Sequence, residues 1–65
     1  MFHENLKTMR KAKGYTQEEL AIKLNVVRQT VSKWEKGTSD PSTSNLIAIA
    51  KLFHITPEEL LKEVL

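Results

Sequence analysis

Arg28, Gln29, Ser32, Lys33 and Lys36 stand at i, i+1, i+4, i+5 and i+8. That spacing puts all five on one side of a helix. They offer cationic donors, an amide that both donates and accepts, and a hydroxyl. Such a set suits the edges of base pairs: Gln bonds adenine bidentately, and Arg or Lys bonds guanine. The same groups bond phosphate oxygens. No acid interrupts the face. The chemistry on offer is recognition of a polyanion. Arg28, Gln29, Ser32 and Lys33 are the candidates for base edges, and Lys36, a turn further on, for the backbone.

Bond-making chemistry has little to work with. The chain has no cysteine, and its two histidines, His3 and His54, stand far apart. Neither has the ligand spacing of a metal site, so no metal and no cofactor are expected. No nucleophile has a base at helical spacing, and no Gly-rich phosphate loop is present. Trp34 falls at a core position rather than on a stacking surface. An enzyme is the least supported reading.

Sixty-five residues suit one small domain, 1–65, with no room for a second, catalytic one. Without disulfides a helical core must do the stabilising. No run of 18 apolar residues is present, and the N-terminal stretch lacks the apolar segment of a signal peptide. A cytoplasmic protein with no membrane association is expected. The net charge is only +2, yet unevenly placed. Residues 1–37 hold eight Lys/Arg against four Glu, for +4; residues 38–65 hold two Lys against four acids, for −2. The basic half contains the polar face, which suits a polyanion on that side.

The elements that must position this face are short helices. Leu20, Ala21 and Leu24 make one apolar stripe, and Val31 with Trp34 makes the next. Residues 17–24 and 28–36 are therefore two helices with a corner at Asn25-Val26, since Asn tolerates the left-handed backbone that ends a helix. Thr16 with Glu19 forms a capping box, and Tyr15 with Leu20 a hydrophobic staple. Upstream, Phe2, Leu6 and Met9 mark a helix over 3–13 that stops at Gly14. Downstream, 37–44 is a polar loop, and Leu46, Ile49, Ala50 and Phe53 mark a helix from about 43 to 53. Thr56, Pro57 and Glu59 start a last helix over 57–64. Leu61, Val64 and Leu65 leave apolar surface at the end, fit for packing on the first helix, for a small contact with a second copy, or for the continuation of a longer protein.

Three stretches carry a resemblance: Thr16-Gln17-Glu18-Glu19-Leu20-Ala21, then Val31-Ser32-Lys33-Trp34-Glu35-Lys36-Gly37, then Asp40-Pro41. From about Leu6 to Leu61 the chain resembles the phage-repressor-like helix-turn-helix family (Cro/CI-type, also called XRE). Two positions depart from the family pattern. Asn25 stands where Gly is usual at the corner. Val27 stands where a Ser or Thr usually caps the second helix, and a missing cap typically costs ~1 kcal/mol. The resemblance implies that Gln17, at the start of its helix, meets a phosphate, and that Arg10 pairs with Glu35 to tie the first helix to the third. The hydroxyls of Thr38 and Ser39, just past the third helix, are further backbone candidates. Thr30 is assigned with them, a thymine methyl and the edge of the core being its alternatives.

The reading is an all-α, five-helix domain with a helix-turn-helix at 17–36. Its expected function is sequence-specific binding of double-stranded DNA, helix 3 in the major groove, in a prokaryotic or phage-type transcriptional regulator read as a repressor. One such helix covers few base pairs. A near-palindromic operator and a homodimer, pre-formed or assembled only on DNA, are therefore expected. The alternatives are an antitoxin of a toxin–antitoxin pair, and a helical protein-interaction module without DNA binding.

Overall fold

The computed structural model describes residues 2–62. Five helices follow one another: α1 (Phe2–Ala12), α2 (Gln17–Leu24), α3 (Arg28–Lys36), α4 (Thr43–Phe53) and α5 (Pro57–Leu61). Among the described residues there is no strand, and no helix is long and apolar enough to cross a membrane.

Each helix start follows from a few neighbouring residues. At α2 the Thr16 hydroxyl accepts the Glu19 N–H at 3.0 Å, and the Glu19 carboxylate accepts the Thr16 N–H at 2.9 Å. The Thr16 N–H first, then the Thr16 side chain, and more weakly the nearby Lys23, hold the exposed Glu19 carboxyl below the usual glutamate range; slight desolvation opposes them. Thr56 and Glu59 repeat the arrangement at α5, with Pro57 in the first turn. At α4 the Ser42 hydroxyl accepts the Asn45 N–H at 3.2 Å.

The ends of α1 to α4 share one device. Gly14, Asn25, Gly37 and His54 all adopt left-handed backbone, with φ of 77°, 59°, 77° and 58°. In each case the N–H of that residue and the next turn back to two carbonyls of the last turn. The sequence marks Gly14, Asn25 and Gly37 as enders. His54, considered there only as a metal ligand, is a fourth. His is one of the few non-Gly residues that enters this region with any frequency.

The core collects Leu6 from α1, Leu20, Ala21 and Leu24 from α2, Val31 and Trp34 from α3, Ile49 and Phe53 from α4, and Leu60 from α5. Leu6, Leu20, Ile49 and Leu60 have no exposed surface. Each contributes about 1.5–3 kcal/mol of burial free energy. Ala21 is also fully buried, which lets α2 and α3 approach closely at their corner.

Two boundaries differ from the sequence expectation. The first helix spans Phe2–Ala12 rather than 3–13. The last ends at Leu61 rather than 64, and Lys62 is extended. The end of α5 is held by α1. Asn5 is buried, and its amide donates to the Leu60 carbonyl at 3.0 Å and to the Lys62 carbonyl. Of the apolar end, Leu61 is half exposed rather than packed on α1. Val64 and Leu65 lie outside the described residues.

Candidate nucleic-acid interface

Helix α3 sorts its side chains by period. Val31, Trp34 and Glu35 turn inward, while Arg28, Gln29, Lys33 and Lys36 are exposed. Thr30 and Ser32 lie between, partly covered. A helix with its side chains is about 10–12 Å across, which a major groove ~12 Å wide admits. The one acid of α3, Glu35, is taken out of the outer face by its burial. What remains exposed on that face is cationic or neutral.

Glu35 does more than withdraw its charge. Arg10 Nε donates to its Oε2 at 2.6 Å, and Arg10 Nη2 donates to its Oε1 at 3.1 Å. This is a bidentate pair between side chains only 9% and 3% exposed. Arg10 Nη1 also donates to the Tyr15 carbonyl at 2.7 Å, just ahead of α2. Gln17 Nε2 donates to Glu35 Oε1 at 3.1 Å. One carboxylate on α3 therefore holds α1 and the start of α2 at once.

That network sets the pose of Gln17. Its side chain turns back to Glu35 instead of away from the helix end, because a buried carboxylate oxygen offers a stronger acceptor than solvent. The start of α2 keeps its donors. The capping box takes the N–H of Glu19 and the side chain of Gln17 takes none of the backbone groups. The Gln17 and Glu18 N–H groups have no acceptor among the described residues. At the other end of α3, the Lys33 carbonyl accepts the Thr38 N–H at 3.0 Å and the Ser39 N–H at 3.4 Å. The Thr38 and Ser39 side chains stay exposed.

Val27 stands before α3 in extended backbone (φ −84°, ψ 154°) and makes no side-chain cap. The Thr30 N–H bonds to the Val27 carbonyl at 3.0 Å, so the first turn closes on backbone alone. Sequence reasoning missed Asn5, whose only local signal is a place beside Leu6 at the edge of an apolar stripe. It also missed the Gln17–Glu35 bond, for which no local signal exists.

Two helices meeting at a tight left-handed corner, the second with an acid-free outer face and an inner face bolted to a third helix, define a helix-turn-helix module. Comparison agrees: residues 6–60 match the helix-turn-helix family model, and the chain belongs to that family. It is 45% identical over 60 residues to the transcriptional activator BcrR of Enterococcus faecalis, covering 92% of this chain and 29% of that protein. It is 32% identical over 63 residues to the antitoxin PezA of Streptococcus pneumoniae, covering 97% of this chain and 40% of PezA. The chain thus spans less than half of either relative. Among solved structures it is similar to the P22 c2 repressor in complex with a synthetic operator. There the TM-score is 0.89 at 29% identity, over 95% of this chain and 94% of that one.

Proposed function

We propose that this chain is the double-stranded DNA-binding part of a transcriptional regulator and acts by occupying an operator. The observation that carries the reading is the outer face of α3. It carries Arg28, Gln29, Ser32 and Lys33, the candidates for base edges, on a helix whose inner face is fixed to α1 and α2. The N–H groups opening α2, with Thr30, Lys36, Thr38 and Ser39, supply the backbone contacts. Gln17 joins them through its main chain. The likeness to the P22 c2 repressor on its operator supports the same use.

One α3 covers too few base pairs for a unique address, so the bound form is a homodimer on a near-palindrome with half-site centres ~34 Å apart. The Cα framework measures 29 × 24 × 22 Å. Two copies at that spacing meet only at their edges, which suits a dimer assembled on DNA. Selection from a random duplex pool, followed by footprinting, tests this. A two-fold symmetric consensus is expected. An asymmetric single-copy footprint would sink the dimer, and failure to enrich any sequence would sink the reading. The identity to PezA supports a second reading, the DNA-binding part of an antitoxin. It keeps the same DNA contacts and adds a protein partner.

Binding should also weaken steeply with salt, since cations leave the phosphates. Lys36 is exposed in the last turn of α3. Lys36→Gln is expected to flatten the slope of log K against log salt by about one unit and to weaken all duplexes alike. An unchanged slope places Lys36 away from the backbone.

A further inference from the structure

His3 belongs to the first turn of α1 but lies beside the end of α3. A Cβ added to Gly37 would stand 3.4 Å from its Nδ1 and 3.5 Å from its Cγ, so the ring rests against the space a side chain there would take. Gly37 is the left-handed end of α3, between Lys36 and Thr38. Lys36, Thr38 and Ser39 are all exposed and are the backbone candidates of this rim. The His3 side chain is itself 32% exposed. Among the described residues its one ionic contact is with Glu4, whose Oε1 is 3.7 Å from His3 Nε2. That carboxylate is 66% exposed and can swing into solvent. The other charges nearby in the two helices are cations: Lys7, one turn on along α1, and Lys33 and Lys36 in the last turn of α3.

We propose that His3 is a further contact to the DNA backbone, its imidazolium donating to the phosphate met by Lys36 and Thr38, so that binding DNA takes up a proton. The inference rests on the DNA-binding reading above. It adds α1 to an interface otherwise made by α2, α3 and the loop that follows. A phosphate attracts the imidazolium far more than the neutral ring, so affinity is highest where the ring is charged and falls as pH rises.

The test measures affinity for the duplex selected from the random pool at about pH 5.5 and about pH 7.5, the range in which histidine ordinarily changes charge. The chain has only two histidines, and the other, His54, is exposed at the end of α4. The intact chain is expected to bind about twofold to fivefold more tightly per copy at the lower pH, the strength of one exposed ion pair. Its slope of log K against log salt should be steeper there by about one unit. His3→Gln is expected to bind alike at both pH values, at the weaker level. His3→Lys, charged throughout, is expected to bind alike at both, at the tighter level. His54→Asn, which keeps a residue that tolerates left-handed backbone, should retain the full pH dependence. Thermal unfolding of every variant at both pH values separates a lost contact from a lost fold. Affinity that does not change with pH overturns the proposal. So does a pH dependence that survives in His3→Gln or vanishes in His54→Asn. If no duplex is enriched at all, the DNA-binding reading fails first and this one with it.

Discussion

Urea unfolding of Arg10→Met and of Glu35→Leu is expected to show each change alone costing about 3–5 kcal/mol, the usual loss when one partner of a buried pair is removed. The double variant should cost less than the sum, with a coupling of at least ~1 kcal/mol. The geometry explains the asymmetry. Arg10→Met leaves the Glu35 carboxylate with only the Gln17 amide in a site that water hardly reaches. Glu35→Leu leaves the guanidinium with only the Tyr15 carbonyl. Replacing both removes two desolvated charges together. A chain of this length is stabilised by only about 3–10 kcal/mol in total, so either single change consumes much of it. Sucrose in the buffer keeps the weakened variants folded enough to measure. Additive losses would show that the pair, though close, does not act as a unit.

Gln29→Ala should leave folding unchanged, because the side chain is exposed and bonds nothing among the described residues. On the selected duplex it is expected to lose ~1–3 kcal/mol, roughly fivefold to 150-fold in affinity. On random duplex the loss should be small, since phosphate contacts carry non-specific binding. The ratio of the two losses is the informative quantity. Equal weakening on both would mean that α3 is not the reading helix.

The two variants bear on different links of one chain of cause. Gln29 acts at the surface that meets DNA. Arg10 and Glu35 act on the angle at which that surface is presented, because Glu35 sits on α3 while its partners sit on α1 and α2. A Glu35→Gln variant isolates this second effect. It keeps the shape and weakens the charge-assisted bonds, so a folded Glu35→Gln protein with reduced affinity on all duplexes marks a loss of positioning.

Residues 17–36 are legible in the amino-acid sequence because their signals are short-range. A capping box joins residues three apart, a left-handed ender acts on its own turn, and an apolar stripe repeats every three or four residues. These local rules place α2 and α3, expose Arg28, Gln29, Lys33 and Lys36, and bury Val31 and Trp34. They also explain why Val27 stands out, since a missing cap can be seen from one residue. The Arg10–Glu35 pair is reachable only through likeness to a family, because nothing near either residue announces the other.

The tertiary structure decided what depends on partners distant in sequence. Asn5 meets Leu60 across 55 positions and so ties the end of α5 to α1, and α5 ends at Leu61 where the local pattern ran on to 64. Gln17 meets Glu35 across 18 positions, and the pull of a buried carboxylate overrides the outward pose expected of a first helical residue. Local sequence determines each helix because its bonds span three or four residues. The contacts that orient one helix against another form only when the core closes, and they answer to desolvation and to competition for acceptors, which no short window of sequence contains.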